Sequence, residues 1–167
     1  MPQGADEHSA VVHDDCMYIF GGFIDGDKVN CVYQFNFKTS EWRLIQQAED
    51  SICPCERAGH SATVVASEKE AHMYIFGGKD KEDNKLNDLW QFSFANETWQ
   101  KVKTTNSPIG RSAHSMTVYQ KYIVVFGGIY EITKELNDCH IFNLETGEWT
   151  KLFKSTNETL DELTIEH

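Results

Sequence analysis

Three kinds of residue in this chain have types and spacings that could do chemistry. The first is a glycine pair closing an apolar run: MYIFGG at 17–22 and 73–78, and IVVFGG at 123–128. A turn of this kind can free backbone N–H groups to bind a phosphate. The second is a histidine followed by serine, at His8-Ser9, His60-Ser61 and His114-Ser115. Three histidines gathered round one axis would supply the donor type of a metal site. The third is Cys53-Pro54-Cys55, two thiols in one short segment, which is half of a zinc site if a second pair stands elsewhere.

None of the three is completed. A nucleotide-binding loop occurs once, opens a helix and, in the Walker form, carries Gly-Lys-Ser/Thr. Here the glycine pair comes three times, leads into a loop and another strand-like run, and has no such lysine. The histidines occupy one equivalent place each, always beside serine, which is a structural rather than a ligating pattern. No second cysteine pair matches Cys53 and Cys55. Neither G-x-S-x-G nor H-E-x-x-H is present, and the acidic residues are scattered without an acid–base spacing. No catalytic, cofactor-binding or metal residue is therefore assigned, and the chain is expected not to be an enzyme.

The elements that carry these residues repeat. The glycine pairs at 21–22, 77–78 and 127–128 lie 56 and 50 residues apart. Pro2, Pro54 and Pro108 stand six residues before each histidine, and Arg57 and Arg111 stand three before, with Ala5 in the first copy. Downstream, VNCVYQF (29–35), LNDLWQF (86–92) and LNDCHIF (136–142) align, followed by Trp42, Trp99 and Trp149. Each copy holds four short strand-like runs, and four antiparallel strands in about 50 residues make a propeller blade. The glycine pair would let neighbouring sheets approach closely, and each tryptophan would bury its ring between them.

The order P-x-x-R-x-x-H-S, a strand ending in Gly-Gly, L-N-D and a tryptophan resembles the kelch repeat over residues 2–153. Ala5 for Arg, Cys31 for Asp and His140 for Tyr are the departures, so the first copy is the least typical. The resemblance implies an all-β fold of three four-stranded antiparallel kelch-type blades, at about 2–46, 54–103 and 108–153, with a polar, acidic tail or linker at 154–167. Propellers have roughly four to eight blades. Three would leave a ring incomplete, so the chain is expected to be part of a larger propeller or to be completed by additional kelch blades from the rest of a longer chain or from a second copy. The resemblance also implies adaptor or scaffold roles. A propeller-framed enzyme domain and a structural assembly through open blade edges are the competing classes.

Bulk properties narrow the partner. The net charge of −11 disfavours nucleic acid and anionic membrane surfaces, and no apolar stretch is long enough for a membrane span. Five cysteines, an odd number, with no apolar leader at the start of the sequence, read as reduced thiols in a cytoplasmic setting. A protein partner is expected. In antiparallel blades the loop between strands two and three shares one face with the connections between blades. Those loops, FIDGDKV (23–29), KDKEDNK (79–85) and IYEITKE (129–135), differ while the framework repeats. Binding is expected there, with Phe23, Ile24, Tyr130 and Ile132 as apolar anchors and Asp80, Glu82, Asp83, Arg57 and Arg111 as charged partner contacts.

Overall fold

The computed structural model describes residues 4–152 apart from 49, 68 and 133; Pro2 and the acidic tail at 154–167 fall outside them. The strands in chain order are β1 (Ala5–Asp6), β2 (Ser9–His13), β3 (Cys16–Phe20), β4 (Phe23–Ile24), β5 (Asp27–Lys28), β6 (Val32–Asn36), β7 (Glu41–Ile45), β8 (Ser61–Ala66), β9 (Ala71–Phe76), β10 (Leu89–Ser93), β11 (Thr98–Lys101), β12 (Ser115–Tyr119), β13 (Tyr122–Phe126), β14 (Cys139–Asn143) and β15 (Glu148–Lys151). They form three four-stranded antiparallel sheets, ordered β2-β3-β6-β7, β8-β9-β10-β11 and β12-β13-β14-β15. The expected all-β blades are therefore present. The ring is not closed, and a fourth sheet of three short strands, β1-β4-β5, lies at the edge of the first blade.

That small sheet corrects the reading of 23–29 as plain loop. Phe23 and Ile24 are strand residues, paired with Asp6 and Ala5 on one side and with Lys28 and Asp27 on the other. The other blades keep a trace of the same arrangement as isolated bridges, Ala58 to Lys79 to Lys85 and Ser112 to Ile129 to Glu135. Each segment leading into a first strand thus holds down the loop after the second strand.

Strand alternation assigns each residue to a face. The register places Val64, Met73, Phe92 and Trp99 in one row across the second sheet, and Val118, Ile123, Phe142 and Trp149 in the matching row of the third. These rows turn toward the preceding blade. Residues on the alternate positions, Phe20, Tyr18 and Val32 in the first blade and Phe76, Tyr74 and Leu89 in the second, turn toward the following blade. The core consists of the two seams where these faces meet, one between blades one and two and one between blades two and three.

Each seam is centred on a Phe–Trp contact. Phe20 lies 4.8 Å from Trp99 and Phe76 lies 4.9 Å from Trp149, centroid to centroid. Each tryptophan also touches the phenylalanine of its own third strand, at 5.1 Å for Phe92 and 5.2 Å for Phe142. Backbone approach makes this possible. Gly21 and Gly22 have φ of 64° and 87°, and a Cβ on Gly21 would lie 2.7 Å from the Arg57 carbonyl oxygen of the next blade. No side chain fits there, so the chain uses glycine. The Gly22 N–H then donates to the Arg57 carbonyl at 2.8 Å, and the Gly78 N–H donates to Arg111 in the same way, also at 2.8 Å.

The seams generate a direct prediction. Trp149→Ala removes a ring that is 2% exposed between Phe76 and Phe142. The expected cost is about 3–5 kcal/mol, read as a lower urea midpoint with an unchanged m-value. A cost below about 1 kcal/mol would show that the ring does not hold the seam.

Candidate functional site

The face built from the strand-two-to-three loops is organised by charged groups, which the sequence requires to be paired where they are buried. Arg57 and Arg111 each have no exposed surface. Arg57 donates to both carboxylate oxygens of Asp88, at 2.7 and 2.9 Å, and to the carbonyls of Gly77 and Cys55. Arg111 does the same with Asp138, at 2.6 and 3.1 Å, and with the carbonyls of Gly127 and Ile109. A third residue completes each clamp: the Trp90 indole N–H donates to Asp88 at 2.7 Å, and His140 Nε2 lies 2.9 Å from Asp138. The guanidinium forks therefore tie the segment between blades to the glycine turn and to the start of the third strand.

This corrects the placement of Arg57 and Arg111 among surface contacts. All their polarity is spent inside the blade, so they set the loops in position and present nothing to a partner. The sequence carried a signal of this role in its two joint departures. Ala5 replaces the arginine and Cys31 replaces the aspartate in the same copy. Losing both partners together leaves no uncompensated buried charge, whereas losing one would.

The loops themselves are linked to one another. Lys28, whose side chain is 6% exposed, reaches across from the first blade to Asp83 of the second at 2.5 Å. Lys79 meets Glu7 at 3.1 Å, Lys81 meets Glu56 at 3.0 Å, and Lys85 donates to the Ser112 hydroxyl at 2.6 Å. Phe23 is half-buried, with the ammonium groups of Lys28 and Lys79 over its ring at 5.3 and 5.5 Å from its centroid. Asp80 is internal to its loop, accepting from the N–H groups of Glu82 and Asn84 and from the Asn84 side chain. Glu82 is exposed, and Tyr130 is half-buried with Lys134 Nζ 5.8 Å from its ring. Ile24 is half-buried in its short strand, and Ile132 is 96% exposed.

A cleft of 480 Å³ opens on this face, lined among others by Glu7, His8, Lys79, Lys85, Ile129 and Ile132. A groove of 640 Å³, lined by His72, Tyr74, Gln91, Gln100 and Leu144 among others, lies at the opposite ends of the second blade's strands, away from these loops. No group of three or more His, Cys, Asp or Glu that could hold a metal occurs among the described residues. Two of the three repeat histidines, His60 and His114, sit in the seams, while His8 is exposed. His60 Nε2 lies 2.8 Å from the Ser9 hydroxyl of the preceding blade. The His60 ring stands edge-on to Phe20 at 5.2 Å and the His114 ring edge-on to Phe76 at 5.5 Å.

Burial, with the neighbouring Arg57 guanidinium adding to it, pushes His60 down to about 3. Burial and Arg111 push His114 down to about 4. The Arg111 hydrogen bonds hold the Asp138 carboxyl well below the usual carboxylate range. Burial alone would raise Asp88, but its Arg57 hydrogen bonds prevail and leave it lowered.

A set of antiparallel blades with a buried Arg–Asp clamp in each typical copy defines a repeat propeller module. The profile of the KLHDC2/KLHL20/DRC7 Kelch-repeats domain matches residues 7–161, and the chain belongs to the kelch-repeat family. It is 39% identical over 161 residues to the Rho GTPase-activating protein gacHH of Dictyostelium discoideum, covering 93% of this chain and 10% of that protein. It is 32% identical over 183 residues to Tip elongation aberrant protein 3 of Schizosaccharomyces pombe, covering 87% and 15% respectively. A more distant relative, 26% identical over 166 residues and covering 91% of this chain and 45% of that protein, is the N-(sulfonatooxy)prop-2-enimidothioate sulfolyase of Thlaspi arvense. The chain thus spans well under two thirds of the length of these relatives. Kelch repeats serve generally as protein-interaction modules.

Two predictions follow from the clamp and the buried histidines. Arg111→Ala strips the largely covered Asp138 carboxylate of its guanidinium partner, leaving only His140 beside it, and is expected to cost about 2–4 kcal/mol. The double change Arg111→Ala with Asp138→Cys, which copies the Ala5/Cys31 pairing, is expected to cost less than the single change. A double variant less stable than the single one would refute the clamp. Stability is also expected to fall with acid. His60 and His114 stay neutral in the folded chain, whereas in the unfolded chain they take up protons below their ordinary value of 6.5. Protonation therefore favours unfolding from about pH 6.5 downward, by up to about 1.4 kcal/mol per pH unit for each histidine. Urea midpoints measured from pH 7.5 to 4.5 check this, and a flat profile would contradict it.

Proposed function

We propose that this chain is a non-catalytic protein–protein interaction module that takes its partner on the face formed by the strand-two-to-three loops and the connections between blades. The observation that carries the reading is the exposure of Ile132, 96%, beside a cleft whose other walls come from all three blades. A large apolar side chain fully in water on a rigid scaffold is the profile of a partner anchor. Phe23, Ile24 and Tyr130 offer further half-buried apolar surface on this face, and Glu82 and Asp83 offer charge, Asp83 while also pairing with Lys28. Asp80 contributes by shaping its loop.

The net charge of −11 supports a protein partner rather than nucleic acid. No helix among the described residues is long and apolar enough to cross a membrane. Five cysteines, with no disulfide between those described, support a cytoplasmic setting and a scaffold or adaptor role there.

Affinity capture with the full chain, compared with Ile132→Asp and Glu82→Lys variants, tests the reading. Partners captured by the native chain are expected to be lost by Ile132→Asp and reduced by Glu82→Lys, with the melting temperature within about 2 °C of native. An unchanged set of captured proteins would overturn the proposed face. A large drop in melting temperature would assign the loops a structural role instead.

A further inference from the structure

We infer that the groove between the second and third blades, at the strand ends opposite the loop face, binds an uncharged peptide segment through an aromatic side chain. This goes beyond the loop-face reading, because it concerns another surface and a seam that two blades of this chain line together.

The first seam shows what fills this place. There the second blade sends two side chains onto the first. The Phe94 ring stacks on His13 at 4.4 Å and tilts against Tyr18 at 4.6 Å, centroid to centroid. The Glu97 carboxylate accepts from both terminal nitrogens of Arg43, at 2.9 Å from Nη1. Arg43 Nε donates to Gln34 Oε1 at 3.0 Å, and Gln34 Nε2 donates to the Tyr18 hydroxyl at 2.8 Å. A ring and a carboxylate thus cover one row of hydrogen-bonding groups. A groove of 390 Å³ remains at that end of the first seam, with Phe94 in its wall.

The second seam keeps the row and loses its cover. Tyr74, Gln91 and Gln100 stand in register where Tyr18, Gln34 and Arg43 stand. Val65 takes the place of His13. Leu144 stands where Phe94 does and Gly147 where Glu97 does. The result is the groove of 640 Å³, lined by Tyr74, Gln91, Gln100, Val65, His72 and Leu144 among others. That volume lies within the roughly 300–1,000 Å³ of ligand sites.

Hydrogen bonding along the row selects the ligand. The Tyr74 hydroxyl donates to Gln91 Oε1 at 2.7 Å, and Gln91 Nε2 donates to Gln100 Oε1 at 2.8 Å. The donors therefore end on the exposed Gln100 amide nitrogen, which has no acceptor among the described residues. A neutral amide donor matches a carbonyl oxygen. A carboxylate finds no cation here, because glutamine replaces Arg43, and it meets the Glu70 carboxylate on the groove's lining. The apolar part of the groove matches a ring. Tyr74 offers the face that Tyr18 offers to Phe94, and the branched Leu144 cannot stack there as a flat ring does. An uncharged peptide with an aromatic side chain supplies the ring and the carbonyl together.

The test is an NMR titration of the full chain with N-acetyl-L-phenylalaninamide, which carries a ring and two neutral amides. A dissociation constant on the order of 1 mM is expected, with shifts at the Gln91 and Gln100 side-chain amides and at Leu144. N-acetyl-L-alaninamide, N-acetyl-L-phenylalanine with its free carboxylate, and glucose are expected to bind about tenfold more weakly or worse. Leu144→Phe copies Phe94 and is expected to weaken binding of the phenylalaninamide about tenfold, with the fold checked by circular dichroism. Gln100→Arg changes an exposed side chain, so the fold is retained, and restores the cation of the first seam. It is expected to reverse the preference, so that the free carboxylate binds better than the amide. Ile132→Asp, on the loop face, is expected to leave the titration unchanged. No shift at these positions up to about 20 mM phenylalaninamide would overturn the inference. So would an equal response to alaninamide or glucose, or a preference that Gln100→Arg does not alter.

Discussion

Everything in this structure depends on backbone approaching backbone between blades. A four-stranded sheet with strands of four to six residues cannot bury both its faces alone. Stability must come from the seams, and a seam requires the chains of two blades to come close enough for a hydrogen bond. Gly21-Gly22 and Gly77-Gly78 provide that approach, and Phe20, Trp99, Phe76 and Trp149 fill the apolar space it creates. The Arg57–Asp88 and Arg111–Asp138 clamps then fix the segment between blades against the glycine turn, so that each approach occurs at a defined angle. The loops that differ between blades are carried on this fixed frame.

The frame was legible in the sequence because repetition makes register visible. Pro, Arg, His-Ser, Gly-Gly, Asn and Trp recur in one order, and in the second and third blades Arg, His, Gly-Gly and Trp take equivalent structural places. Asn30 and Asn87 donate to the carbonyls of Pro54 and Pro108 in the following segment. The loop face was less legible. Sequence alone grouped Arg57 and Arg111 with the surface contacts, because the fork of an arginine says nothing about burial until its acceptor is located. The acceptor, Asp88 or Asp138, lies about 30 residues on in the chain, and only the paired departures Ala5 and Cys31 tied the two positions together. Phe23 and Ile24 were read as loop because two-residue strands leave no alternation to detect.

Burial of two histidines without charge has an energetic consequence for the same seams. His60 and His114 touch the phenylalanines that the tryptophans cover. Protonating either would place an ammonium-like charge beside a buried guanidinium and in the apolar contact itself. His60 and His114 are thus neutral packing groups in the seams, and His60 adds a hydrogen bond to the Ser9 hydroxyl of the preceding blade.

The central claim, that glycine-mediated backbone contact holds the blades together, is tested most directly by amide hydrogen exchange at Gly22 and Gly78. Their N–H groups donate to carbonyls of the next blade and have no strand partner within their own sheet. The account predicts exchange as slow as that of the central strand amides of β9, at Tyr74 and Ile75, since opening one requires separating the seam. Exchange at the rate of the exposed turn amide of Gly26 would contradict it.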